Sequence, residues 1–279
     1  MFTRTASGLA NEYLFYDVDY VVYCEGETGE GEISSLDELF WSQLFSKFGK
    51  LVKCKSSGTK PELEALARYV VDNNIPNIII AMDRDYSDLL GEEIIHPRII
   101  YTFGYSWESD IVLDFPIATI LNLFQTVSNT TAIEAEFIQF RNENSKKLVR
   151  AYALDYKYYR HSKALFNRHK PNSIIIAQSQ KEPSLNIPKL LESAKLLGKF
   201  QSGHFSKKLY QSACGMRSFF GKTILRLTYR WFEHRSKIMP AKGRSCQIDT
   251  FASTMIFNLN FDDQSISRNK YYHQKLSAL

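Results

Sequence analysis

Five segments between Asp19 and Asp83 alternate between two hydrophobic periods, and this alternation restricts the fold more than any other feature of the chain. The run "DYVVYCE" (19–25) is β-branched and aromatic, suited to a buried strand. Helical spacing follows in "SLDELFWSQLFSKFG", with Leu36, Leu39, Phe40, Leu44 and Phe48 on one face, Ser35 and Glu38 placed as a capping box, and Gly49 as a stop. "KLVKCKS" reads as a second strand. "TKPELEALARYVVDNN" reads as a second helix, with Thr59 and Glu62 in another capping box, Pro61 in the first turn and Asn73-Asn74 at the end. "NIIIAMD" (77–83) is the clearest strand in the chain. Strand, helix, strand, helix, strand predicts parallel βαβ units with right-handed crossovers, an α/β class with a small, mostly parallel sheet flanked by helices. "RIIYT" (98–102) adds a fourth short strand, and "WESDIVLDFPIATILNLF" is helical in period but broken at Pro116.

Beyond Asn129 the period changes. "TAIEAEFIQFRNENSKKLVRAYALDYKYYRH", "IPKLLESAKLLGKF" and "GKTILRLTYRWFEHRSK" read as helices joined by polar loops with little strand signal. Charge changes in the same region. Up to Asn144 the chain carries 10 Lys and Arg against 23 Asp and Glu, a net −13; from Ser145 onward it carries 25 against 7, a net +18. The expected organisation is a catalytic domain over 1–128 and a basic, mostly helical domain over 129–279, the second suited to a polyanion or an acidic protein surface. No apolar run approaches the ~18–20 residues of a membrane-spanning helix, and the N-terminus has no signal-peptide pattern, so the expectation is a cytoplasmic protein without a membrane partner. The four cysteines form no CxxC pair and the six histidines no HxH or HxxxH spacing, which predicts reduced core thiols and no zinc site.

The acidic residues of the first half fall at strand ends. Glu25 ends the first strand; Asp83 ends the third, with Asp85 two residues on in "AMDRDYSD"; Glu108 lies shortly after the fourth. An open parallel sheet gathers ligands outside the carboxyl ends of its strands. Clustered carboxylates repel, and a hard cation relieves that repulsion. Mg2+ or Mn2+ takes oxygen ligands and keeps open positions for phosphate oxygens, so this set of residues points to phosphodiester chemistry. Each piece alone is ordinary loop chemistry, and only their joint placement is informative.

"VVYCEGE" followed by a helix and then "IIIAMDRD" resembles the Toprim domain, whose first strand ends in a catalytic Glu before Gly and whose later strand ends in DxD. "SGTKPELEALARYVVDNNIPNIIIAMDRDY" with "YTFGYSWESDIV" is similar to the AriB-type Toprim nuclease effectors of PARIS anti-phage defence. The resemblance covers residues 18–110, with the remainder matching by length and basic helical character only. It implies Glu25 as metal ligand or base, Asp83 and Asp85 as magnesium ligands, and Glu108 as an auxiliary ligand or orienting group. It further implies an RNA target, tRNA in particular, and an ABC-type ATPase partner that restrains the nuclease. Relatives place an acidic residue soon after the Glu-Gly pair, whereas here "ETGEGEISS" intervenes before Asp37, and Glu27 and Glu30 read as a solvated insertion.

"GMRSFFGKT" (215–223) does not make a P-loop, because five residues separate its glycines and no buried strand precedes it; Lys222 and Thr223 read as the start of an amphipathic helix. "YALDYKYYRHSKALFNRHK" and "LRLTYRWFEHRSK" interleave aromatics with cations. Two uses fit them equally: stacking and phosphate contacts on RNA or single strands, or a helical core with solvated cations. The functional expectation is a magnesium-dependent Toprim endonuclease acting as a defence effector, with a homodimer able to grip a structured substrate. DNA as the substrate, and a noncatalytic module of an ATPase complex, are the alternatives that fold alone leaves open.

Overall fold

The computed structural model of the chain describes residues 5–26, 35–113, 115–124, 129–178, 181–198, 213–238 and 246–279. It divides into two compact units, one of 1–103 with 256–279 and one of 104–255. The division falls after the fourth strand, not near residue 128, and the C-terminal residues return to the first unit. On these bounds the first unit carries a net charge of −7 and the second +12, so the acidic and basic characters stay separated.

In the first unit, two short helices, α1 (Ala6–Ala10) and α2 (Glu12–Tyr16), lead into β1 (Tyr20–Cys24), α3 (Leu36–Lys47), β2 (Val52–Ser56), α4 (Lys60–Asp72), β3 (Ile78–Met82), α5 (Ser87–Leu90) and β4 (Ile99–Tyr101). The four strands form one all-parallel sheet in the order β2-β1-β3-β4. β3 is buried along its whole length, as the unbroken apolar run "IIIAM" requires of a strand covered on both faces. Val21, Tyr23, Ile78, Ile80 and Met82 pack with Leu63, Ala67 and Val70 of α4, while α3 packs against β1 and β2. Each fully buried aliphatic side chain contributes roughly 1.5–3 kcal/mol.

The caps act as their sequences predict, with one difference. Ser35 accepts the Glu38 N–H at 3.1 Å, but the Glu38 carboxylate reaches across to the Ser56 N–H at 2.7 Å, tying α3 to the end of β2. The buried stripe of α3 is Phe40, Trp41, Leu44 and Phe45, shifted from the predicted face, with Leu36 and Leu39 half-buried. The C-terminal segment closes this unit: the Phe103 N–H donates to the Tyr272 hydroxyl at 3.2 Å and the Tyr271 hydroxyl to the Tyr101 carbonyl at 2.7 Å.

The second unit continues with α6 (Trp107–Val112), α7 (Ile117–Phe124), the 30-residue α8 (Thr130–Tyr159), a 3-10 turn (Pro171–Ile174), β5 (Ile175–Gln178), β6 (Lys181–Leu185), α9 (Ile187–Leu197), α10 (Gly215–Ser218), α11 (Gly221–Ile238) and α12 (Ile248–Phe257). The unit division runs through α12, and α13 (Ser267–Leu276) belongs to the first unit. The second unit is mostly helical, as predicted, but β5 and β6 form an antiparallel hairpin that the sequence reading missed. "KEPSL" hides this strand, because Pro and two charges sit in a run whose first two residues are exposed. Phe137 and Trp231, ring centroids 4.9 Å apart, anchor a core that includes Leu227, Phe232 and Phe251. Among the described residues no helix is long and apolar enough to cross a membrane, and Cys24, Cys54, Cys214 and Cys246 are free thiols.

Candidate functional site

β1 and β3 are parallel neighbours with Cys24 opposite Ala81, so Glu25 and Asp83 leave the sheet at one edge. The chain steps from β1 to β2 on one side and returns to β3 on the other, which makes the β1/β3 junction the point where strand order reverses. Such a reversal opens a crevice outside the strand ends. There the Asp83 N–H donates to Glu25 Oε1 at 3.0 Å.

In a continuing strand residues 83 and 85 would point the same way, but the strand ends at Met82 and the pleat no longer sets side-chain direction; Asp85 sits in a left-handed turn at φ 50°. Arg84 is anchored back into the unit. Its N–H donates to Thr102 Oγ1 at 3.0 Å and its Nε to the Thr102 carbonyl at 2.8 Å; its guanidinium pairs with Glu93 at 3.0 Å and lies over the Tyr271 ring. Asp85 is held by Lys60, the first residue of α4, whose ammonium donates to Asp85 Oδ2 at 2.7 Å and to the carbonyls of Asp83 and Arg84 at 2.7 and 3.2 Å.

Charge is crowded at this edge. Burial, and then the Asp85 carboxylate, push the Glu25 carboxyl up to about 7; Lys60 and the Asp83 N–H oppose the rise, and Asp37 of α3 adds to it. Among the described residues no three His, Cys, Asp or Glu side chains form a ready metal cage. The donor chemistry nevertheless fits a hard cation. Glu25 Oε2 and Asp85 Oδ1 make no hydrogen bond to the described residues, and Mg2+ is commonly held by one or two carboxylates with water and phosphate oxygens completing its shell.

The glycine after Glu25 has a structural reason. Gly26 sits at φ 138° and exchanges backbone hydrogen bonds of 3.1 and 3.0 Å with Gly58, fastening the end of β1 to the loop before α4. A Cβ at Gly26 would lie 2.9 Å from Ser56 Oγ. Gly26→Ala is expected to cost about 2–3 kcal/mol, combining backbone strain with overlap, whereas Gly91→Ala, at φ 71° with no atom within 4 Å, costs about 1 kcal/mol. Chemical denaturation of the two variants checks the difference, and equal losses would show that the overlap with Ser56 adds nothing.

Glu108 lies in the second unit, whereas Glu25, Asp83 and Asp85 lie in the first. It is buried in α6, where the Ser106 hydroxyl donates to its Oε2 beside Gly221, and nearby Asp110 accepts the Gly104 N–H at 2.6 Å. Glu27 and Glu30 lie outside the described residues. Of the residues that matter at the edge, sequence reasoning missed Lys60, Gly58 and the turn at Asp85. "SGTKPE" carried the signal, since it ends β2 on the same edge as Glu25 and Asp83. No protein-family model matches the chain, and no curated protein matches it.

Proposed function

We propose that the chain is a Toprim-type, divalent-metal-dependent endonuclease working on the phosphodiesters of RNA. One observation carries this reading: Glu25 is fixed by the Asp83 N–H at the strand-order reversal, with the charge of Asp85 bearing on the same carboxylate. Glu25 and Asp85 would hold the ion and Asp83 would orient Glu25, while Lys60 keeps the turn that carries Asp85. Bound Mg2+ or Mn2+ supplies a positive charge for the phosphoryl oxygens and lowers the pKa of water. Substrate capture belongs to the basic second unit, where Tyr159, Arg160, Lys163 and Lys170 are exposed. The interleaved aromatics around them are mostly core, since Tyr152, Tyr156, Tyr158, Tyr229 and Trp231 are buried; the cations carry the polyanion argument. Defence, tRNA as the particular target, the ABC-type ATPase partner and the homodimer rest on the resemblance alone.

The test is incubation of the full chain with labelled tRNA and with plasmid DNA in Mg2+, Mn2+ or EDTA, together with sequencing of nucleic-acid ends from expressing cells. Discrete RNA ends that require the metal are expected. Cut plasmid with intact tRNA would move the substrate to DNA. Nucleic-acid binding without cleavage in either setting would leave a noncatalytic module and end the enzymatic reading.

A further inference from the structure

Lys60 stands where a cation is disfavoured. It is the first residue of α4, at the positive end of the helix dipole, and Pro61 with the Thr59–Glu62 capping box fixes that end in place. Its position is explained by the acidic edge. The ammonium has three N–H donors and three oxygen acceptors: Asp85 Oδ2 at 2.7 Å, the Asp83 carbonyl at 2.7 Å and the Arg84 carbonyl at 3.2 Å. A carboxylate and two carbonyls form the kind of hard-oxygen set that otherwise holds a metal ion. Both partners of the ion pair are three-quarters or more buried, so the charge is weakly screened. Glu25 and Asp83 also lie within electrostatic reach of the ammonium.

Charge balance gives the consequence. The three carboxylates that act on Lys60, those of Asp85, Glu25 and Asp83, sum with its ammonium to a net −2 when all are ionised, the charge that one divalent ion balances. We propose that Lys60 is the built-in second cation of this site, so that the chain takes a single divalent ion at Glu25 and Asp85 where two-ion phosphodiesterases take two. This rests on the phosphodiesterase reading. Lys60 acts as a positioning residue: it shapes the 83–85 turn and occupies the second cation position.

The test counts ions on the full chain by equilibrium titration with Mn2+, reading free Mn2+ by electron paramagnetic resonance. Wild type is expected to bind one Mn2+, and Lys60→Arg one. Lys60→Ala vacates the three-oxygen cage and is expected to bind two, a doubling; Lys60→Met, which keeps the aliphatic stem, is the second variant should Lys60→Ala fail to fold. Two ions in wild type, or one in wild type and still one in a folded charge-removed variant, would overturn the role of Lys60. No ion in wild type would overturn the metal reading itself, a result distinct from one ion throughout.

Discussion

Glu25→Gln is expected to stabilise the metal-free protein at pH 8 while lowering metal-dependent cleavage by about a thousandfold or more. The two effects have one cause. The Glu25 carboxyl is pushed up to about 7, first by burial and then by Asp85, from an ordinary value near 4.5. Between those values the folded chain keeps the proton and the unfolded chain has released it. Stability from this group is therefore fully present below about pH 4.5 and is lost as pH rises through about 7, on the order of 3 kcal/mol in total. Glutamine keeps an oxygen for the Asp83 N–H and removes the charge, so it removes this loss as well. Lys60, Asp83, Asp85 and Asp37 remain around it in both proteins, which makes the difference between them specific to Glu25. Urea denaturation in EDTA from pH 5 to 8 should show the wild type falling behind Glu25→Gln as pH rises. Parallel curves would show that Glu25 ionises in the folded protein as it does in a free chain. An inactive variant that is also more stable would exclude unfolding as the reason for lost cleavage.

Glu25 and Asp83 were legible because two apolar runs with strand composition both end in a carboxylate, and parallel neighbours must deliver those ends to one edge. The α/β alternation was legible for the same reason: "IIIAM" is buried on both faces, and the capped helices carry a single apolar face each. Lys60 was legible only in its place, since "SGTKPE" follows β2 on the same edge; its role was not, because one lysine in the first turn of a helix has no periodic signature and its partners lie 23 to 25 residues away. The pairing of the C-terminal segment with the first unit spans about 170 residues through two tyrosine hydroxyls, and no local pattern encodes it. Glu108 follows the fourth strand in the order the pattern predicts, and the unit division falls between β4 and α6, where the Ser106 hydroxyl donates to its carboxylate.

Gly215→Ala is expected to destabilise the second unit by about 3 kcal/mol, the upper end for adding one carbon to a packed interior. Gly215 opens α10 against α8, and a Cβ there would lie 2.3 Å from the Ser145 carbonyl oxygen, 2.6 Å from Leu148 Cβ and 2.9 Å from the Val149 nitrogen. Two of these are backbone atoms of a 30-residue helix, which cannot step aside without breaking its own hydrogen bonds. Gly221, six residues on, is the informative comparison. Its added Cβ would meet Ser106 Oγ at 1.9 Å and Glu108 Oε2 at 3.0 Å, both side-chain atoms, so Gly221→Ala can be accommodated by rotating Ser106 at the loss of one buried hydrogen bond, about 1–2 kcal/mol. Chemical denaturation should rank Gly215→Ala as the more damaging change, with faster amide exchange at 145–149; the reverse order would mean that α8 yields where the side chains do not. These two glycines are the ones that make "GMRSFFGKT" look like a phosphate-binding loop. Their spacing serves contact: Gly215 sits against the backbone of α8 and Gly221 against the side chains of Ser106, Glu108 and Ser109, a need that produces a glycine pattern with no phosphate in it.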